Sequence, residues 1–290
     1  MTVSTPGLLV VDKPSGLTSH QVVGRIRRVF GTRKVGHAGT LDPMATGVLL
    51  VGLNRATRLL GYLALHDKAY SATIRLGAST TTDDAQGQIN GGGSAAGLSL
   101  AQVRQALAPF RGVIQQRPSA VSAIKVKGKR AYARVRAGED VQLAAREVSI
   151  ECFEATAARR VDDYLDVDVE VECSSGTYIR ALARDLGELL GVGGHLTALR
   201  RTRIGSYTLD DAVELDSLAP DTPLMSMAQA AHRSFPVIEV DAEAARDVGF
   251  GKALSIQVPA DVTGIIGPTG DLLALYRPAG ASSRPVAVLI

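Results

Sequence analysis

Ten residues do the most to limit what this chain can fold into. From Tyr164 to Cys173, Leu165, Val167, Val169, Val171 and Cys173 alternate with Asp166, Asp168, Glu170 and Glu172. Successive side chains of a strand point to opposite faces, so the segment reads as a strand with one apolar face and one acidic, solvated face. Residues 146–158 precede it with strand composition, and the two read as a two-stranded pair.

Helical periods stand elsewhere. Val22, Val23, Ile26, Val29 and Phe30 form an apolar stripe behind Thr18 or Ser19 as cap, and Gly31 stops it. Ser99 caps a second helix with Leu100, Val103, Leu107 and Phe110. Thr177 is placed to cap a third, whose stripe is Ile179, Leu182, Leu186 and Leu189 or Leu190, with Gly191 at its end. Residues 8–11 are a short buried strand ended by a turn at 13–16, and residues 70–76 have strand composition. Residues 32–47, with Gly36, Gly39, Gly47 and Pro43, show no period and read as a structured loop. Residues 90–97 read as a flexible glycine-rich connector. After Phe235-Pro236 the pattern changes to short strands with glycine turns. The fold class is therefore α+β, with residues 1–234 as one domain and 235–290 as a small, mostly β domain. A length of 290 residues fits about two domains.

Composition removes several classes. At 46% hydrophobic and 21% charged the chain is near a globular average, which excludes a disordered, collagen-like or coiled-coil protein. Two cysteines, Cys152 and Cys173, exclude a disulfide scaffold and a four-cysteine zinc site, and suggest a reduced compartment. No run reaches the roughly 18 apolar residues of a membrane helix, and the start lacks a signal-peptide pattern, so the expected location is the cytoplasm. The net charge is only +3, but its distribution is uneven. Residues 111–146 hold nine lysines and arginines against Glu139 and Asp140, whereas residues 235–290 are slightly acidic. Such a local charge suits a surface that meets phosphates, and a solvated face explains it equally well.

Known chemical motifs do not complete. Residues 31–36 begin like a phosphate loop, but His37-Ala38 stands where Lys and Ser or Thr are required. Residues 191–194 complete no dinucleotide fingerprint, and there is no Gly-x-Ser-x-Gly elbow. The five histidines lack zinc spacing and Cys-x-x-Cys is absent, so neither cofactor nor metal is expected. What remains is a polar loop with Lys34, His37, Thr40 and Asp42. Taken singly, Asp42 before Pro43 is a turn, His37 a structural histidine, Tyr70 a strand residue and Arg180 a surface arginine beside Arg184.

Taken together, these residues resemble the TruB family of tRNA pseudouridine synthases. Gly36-His37-Ala38-Gly39-Thr40-Leu41-Asp42-Pro43-Met44-Ala45-Thr46-Gly47 is similar to that family's catalytic loop. Leu9-Val10-Val11-Asp12-Lys13-Pro14 resembles its opening, Lys68-Ala69-Tyr70 its stacking tyrosine, and Ser122-Ala123-Ile124-Lys125 its RNA-gripping insertion. Cys173-Ser174-Ser175-Gly176-Thr177-Tyr178-Ile179-Arg180 resembles a second active-site motif, and residues 195–201 a third. The likeness covers about residues 7–235. Beyond it the chain resembles a PUA-like domain less specifically.

The resemblance implies the pseudouridine synthase fold, an α+β fold with a mixed central sheet, plus the PUA-like C-terminal domain. It implies isomerisation of uridine to pseudouridine at position 55, in the TΨC loop of tRNA, by base flipping and an aspartate nucleophile, without a cofactor. Catalytic roles fall to Asp42, to Tyr70 and to Arg180, the cation expected to pair with the catalytic aspartate. Substrate binding falls to His37, Asp84, Tyr178 and Leu199, and to Lys125, Lys127, Lys129 and Arg130 of an insertion at about 115–145. Arg134 and Arg136 would add to that grip, and Arg200 and Arg201 would extend the basic surface. The partner is the T stem-loop of tRNA, with no membrane, metal or obligate protein partner. Two other readings stay open: a non-catalytic tRNA-binding or tRNA-folding protein, and a pseudouridine synthase acting on another RNA.

Overall fold

The computed structural model describes residues 5–119, 125, 126, 129, 130 and 143–290. In chain order their strands are β1 (Gly7–Lys13), β2 (Val35–Ala38), β3 (Thr46–Leu53), β4 (Lys68–Leu76), β5 (Ser79–Thr80), β6 (Ile89–Gly91), β7 (Gly112–Gln116), β8 (Lys125–Val126), β9 (Lys129–Arg130), β10 (Arg146–Val161), β11 (Tyr164–Cys173), β12 (Gly194–Ile204), β13 (Tyr207–Thr208), β14 (Val213–Glu214), β15 (Val237–Glu239), β16 (Thr263–Ile266), β17 (Leu272–Ala279) and β18 (Ser282–Val288). The helices are α1 (Ser19–Phe30), α2 (Leu60–Leu63), α3 (Leu100–Ala106), α4 (Ile179–Leu189), α5 (Met227–Ser234) and α6 (Ala242–Gly249). The chain divides into two compact units: Met1–Pro43 with Gly47–His66 and Gly205–Ile290, and Met44–Thr46 with Asp67–Ile204.

In the first unit β3 lies inside a mixed sheet. β1 runs antiparallel to it, from Gly7 opposite Leu53 to Lys13 opposite Gly47. β2 pairs antiparallel with it as well, from Val35 opposite Leu53 to Ala38 opposite Leu50, and β14 runs parallel to β1. Residues 32–47 are therefore not all loop. Four residues are too few for an alternation to show, and pairing with β3 makes this strand.

Helix α1 covers the sheet. The Thr18 hydroxyl accepts the Gln21 N–H at 3.1 Å, and the Gln21 side chain accepts the Thr18 N–H at 2.8 Å, a reciprocal cap. Val22, Val23, Ile26 and Phe30 are buried against Leu9, Val11, Leu49, Val51, Leu53 and Leu215. Full burial of such side chains contributes about 1.5–3 kcal/mol each. That burial sustains a helix of 12 residues, a length that is marginal in isolation.

Near the chain's end, β15 to β18 form a four-stranded sheet in sequence order, with β15 parallel to β16 and the other pairs antiparallel. Its core includes Val248, Leu254, Val258, Ile265 and Tyr276. Residues from the beginning of the chain grip its last segment. Arg55 donates to the Leu289 carbonyl at 3.4 Å, Arg58 to Val288 at 2.7 Å and Tyr62 to Val286 at 3.3 Å.

The second unit is built on five antiparallel strands in the order β12-β4-β11-β10-β7. The apolar residues of β11 are buried as its alternation requires. Its other face is not purely solvated. Arg75 makes a two-pronged pair with Asp166 at 2.7 and 2.8 Å, and Arg159 reaches Asp168 at 2.7 Å. Asp166 is buried as a result. Its cations come from neighbouring strands, in register with it, so the alternation within β11 does not reveal them.

Helix α4 meets the start of β12 backbone to backbone. A Cβ on Gly187 would come within 2.1 Å of the Gly194 nitrogen. The helix begins at Tyr178 without a side-chain cap, and Thr177, expected there, donates to the Ser174 carbonyl at 3.0 Å. The glycine-rich stretch at 90–97 is also anchored. β6 pairs with β5, Ala95 is buried, and Arg160 donates to the carbonyls of Ala95 and Leu98. Among the described residues no helix is long and apolar enough to cross a membrane.

Candidate active site

Asp42 lies between β2 and β3, and the backbone on both sides of it is held. Ser19, the first residue of α1, is buried. Its hydroxyl accepts the Leu41 N–H at 2.9 Å and donates to the Leu41 carbonyl at 3.1 Å. On the other side, the Pro43 carbonyl accepts from the Gly16 N–H at 2.8 Å and from the buried Lys13 ammonium at 3.3 Å. Gly39 and Gly47 take left-handed backbone, with φ of +83° and +99°, which lets so short a segment turn twice. A carboxylate between fixed neighbours loses little freedom on reaction, which is what a positioned nucleophile needs. His37 stands on β2 opposite Val51 and is half-buried.

In the second unit, β4 and β12 bring Tyr70 and Leu199 onto one buried face: Tyr70 pairs with Arg201 and Ala72 with Leu199. Arg201 does not extend a basic surface, because it lies on this inward face and is only 1% exposed. Its neighbour Arg200 points the other way and donates to the Thr46 hydroxyl at 3.3 Å.

Asp84 and Arg180 form a buried pair. One Asp84 oxygen lies 3.4 Å from Arg180 Nη1. The other accepts the Thr82 hydroxyl at 2.6 Å and the Gln86 N–H at 3.0 Å. Arg180 Nη1 also donates to the Thr82 carbonyl at 2.9 Å. At 4% exposed, Arg180 is no surface arginine, and the carboxylate it meets within its own unit is Asp84. Removing one partner of such a pair leaves a buried charge uncompensated, a loss of about 3–5 kcal/mol. β12 holds the Asp84 loop in place. The Leu196 N–H donates to the Asp83 carbonyl at 3.1 Å, and His195 Nδ1 lies 2.7 Å from the Ala78 carbonyl oxygen.

Tyr178 precedes Ile179 and Arg180 at the head of α4. Its peptide is held by Gln116, which donates to the Tyr178 carbonyl at 3.0 Å and accepts the Tyr178 N–H at 2.8 Å. Arg146 lies over the Tyr178 ring at 4.6 Å. No local pattern in the sequence marks either contact. Gln116 ends an ordinary strand, and its partner is 62 residues away. Of the expected RNA-gripping residues, Lys125, Lys129 and Arg130 lie on β8 and β9, where Lys125 pairs with Arg130. Lys127, Arg134 and Arg136 lie outside the described residues.

Burial tunes two further groups on the sheet. Lys68 is pushed down to about 8, first by burial and then by the nearby Arg201 cation. Cys173, its partner across β4 and β11, is pushed up to about 11 by burial. A thiol held protonated is a poor nucleophile, so Cys173 is a packing residue. Among the described residues no three His, Cys, Asp or Glu side chains gather as a metal-binding group.

Known proteins are similar to this chain in sequence and in fold. Residues 27–179 match the TruB family pseudouridylate synthase N-terminal domain. Residues 180–228 match the tRNA pseudouridylate synthase B C-terminal domain, and residues 235–290 the tRNA pseudouridine synthase II C-terminal domain. The chain is 58% identical to tRNA pseudouridine synthase B of Cutibacterium acnes over 100% of both chains. It is 55% identical to that of Thermobifida fusca, over 97% of this chain and 98% of the relative. Among solved structures, a Cbf5-Nop10-Gar1 complex is similar with a TM-score of 0.73 at 26% identity, covering 98% of this chain and 85% of that one. An archaeal box H/ACA Nop10-Cbf5 complex gives 0.71 at 26% identity, covering 98% and 86%. The fold is thus the α+β pseudouridine synthase fold with a mostly β C-terminal part.

Proposed function

The chain belongs to the TruB family of pseudouridine synthases, and from that premise we propose that it acts on uridine 55, in the TΨC loop of tRNA, with Asp42 as its nucleophile. As a member of that family it is an isomerase that converts uridine in tRNA to pseudouridine. The reaction breaks the bond from ribose carbon 1′ to N1 of the base and makes one from carbon 1′ to carbon 5. The carbon 5 proton leaves and N1 gains a proton, so the atoms balance without a cofactor.

The observation that carries this reading is the setting of Asp42: one carboxylate within the twelve-residue motif, its flanking peptides held by Ser19, Gly16 and Lys13. A carboxylate can form the transient covalent bond that divides the isomerisation into easier steps. The target base sits in a folded loop and is extruded for reaction. Tyr70 stacks on it, an interaction worth about 1–3 kcal/mol. Tyr178 and Leu199 complete the pocket, and His37 engages the RNA loop. Arg180, oriented by Asp84, supplies the cation of the same reaction. Lys125, Lys127, Lys129 and Arg130 grip the phosphates of the T stem-loop from the insertion at about 115–145. Residues 1–234 are the catalytic domain and 235–290 a PUA-like domain, and the enzyme works in the cytoplasm beside its tRNA.

The test is release of tritium from carbon 5 of labelled uridine in an unmodified tRNA transcript, with the product position mapped. Wild type is expected to release tritium from position 55, and Asp42→Asn to release none while still binding tRNA. Tight binding by wild type without release would instead make this a tRNA-binding protein. Release from another position would move the substrate site.

A further inference from the structure

Gln116 and Arg146 stand opposite each other at one end of the β7–β10 ladder. β7 ends at Gln116 and β10 begins at Arg146, and the chain between, residues 117–145, carries most of the basic cluster. Register partners present their side chains on one face, and both of these reach Tyr178. Gln116 is fully buried, and its amide matches the Tyr178 peptide donor for acceptor. Arg146 covers the ring and donates from Nη2 to the Gly176 carbonyl. One turn along α4, Arg184 donates to the Arg117 carbonyl at 2.8 Å and pairs with Asp83 at 3.3 Å.

Tyr178 is only half-buried, so it adds little to the core that would justify such restraint. It also opens α4 without a side-chain cap of its own. A partly exposed residue clamped at its peptide and at its ring is restrained in position more than it is stabilised by burial. We propose that Gln116 and Arg146 are positioning residues. They fix the Tyr178 ring and, through the adjoining peptide, the start of the helix that carries Arg180. The inference rests on Tyr178 belonging to the uridine pocket. It makes the roots of the basic segment part of the geometry of the reaction, so that reaction rate and RNA affinity are set by different residues of one stretch.

Two measurements test it. In protein labelled with 3-fluorotyrosine, the Tyr178 resonance is assigned by its loss in Tyr178→Phe. It is expected to shift or broaden in Gln116→Ala and in Arg146→Ala, and an unchanged resonance in both overturns the clamp. In single-turnover tritium release, Gln116→Ala is expected to slow the reaction about 10- to 100-fold, in line with small misplacements of reacting groups, with tRNA affinity within about twofold of wild type. Gln116→Glu separates positioning from folding. Its ionised carboxylate keeps the acceptor for the Tyr178 N–H but cannot donate to the carbonyl, whereas the protonated form can. Its rate relative to wild type is therefore expected to recover as pH falls. A Gln116→Ala rate within twofold of wild type overturns the inference, as does equal loss of rate and affinity with no recovery of Gln116→Glu in acid. If wild type itself releases no tritium, the functional reading fails, and the fluorine measurement alone decides whether the clamp holds Tyr178.

Discussion

Lys68 shows how a single residue registers its surroundings. Burial and the Arg201 cation hold it near 8, against 10.5 for a free lysine. Between those values the folded chain binds fewer protons than the unfolded one, so stability gains with rising pH across the window. Below pH 8 the charge of Lys68 is carried inside the fold and its cost is at its fullest. Replacing Lys68 by Met removes this dependence. In urea unfolding between pH 7 and pH 10, wild type is expected to gain on Lys68→Met with a slope of up to about 1.4 kcal/mol per pH unit. A constant difference across that range would contradict the placement of the ammonium. The Asp84–Arg180 pair belongs to the same scale. The motif around Arg180 is readable as a string of residues, but the orientation of its guanidinium depends on Thr82 and Asp84, which are 98 and 96 positions away in the chain.

Among the elements, α1 and α4 use glycine in opposite ways. Gly24 sits inside α1 with open space around it, so Gly24→Ala is expected to stabilise the protein by about 0.4–1 kcal/mol. Gly187 sits inside α4 against the backbone of Gly193 and Gly194, so Gly187→Ala is expected to destabilise it by about 1–3 kcal/mol or more. Thermal unfolding of the two variants checks both signs, and equal shifts would refute the close approach. What the sequence reveals divides along the same line. The alternation of β11, the capped stripe of α1 and the glycine at its end are local, and each is legible because neighbours in the chain decide it. β2, the buried Ala95, the partners of Asp166 and the hold of Gln116 on Tyr178 depend on residues brought from a distance, and no local pattern reports them. The site divides likewise: Asp42 stands out in its motif, while the hold on its neighbour Leu41 by Ser19, 22 residues before Leu41, does not.

At the scale of the whole molecule, charge and chain order matter most. With a net charge of only +3, attraction to RNA depends on where the cations are, and residues 111–146 hold nine of them. Neutralising Lys127 and Lys129 together is expected to weaken tRNA binding and to lower the slope of log affinity against log salt by about one to two. An unchanged slope would remove these lysines from the interface. The grip of Arg55, Arg58 and Tyr62 on the carbonyls of residues 286–289 has a consequence in time. Synthesis runs from the amino to the carboxyl end, and the unit that contains Met1–Pro43 also contains Gly205–Ile290, whereas the other unit has all its residues once Ile204 has emerged. At about 5–20 residues per second, the first-made strands wait some seconds more for their last partners. During that interval β1 lacks its partner β14 and α1 lacks Leu215, so their apolar faces stay partly open until residues 213–215 have emerged.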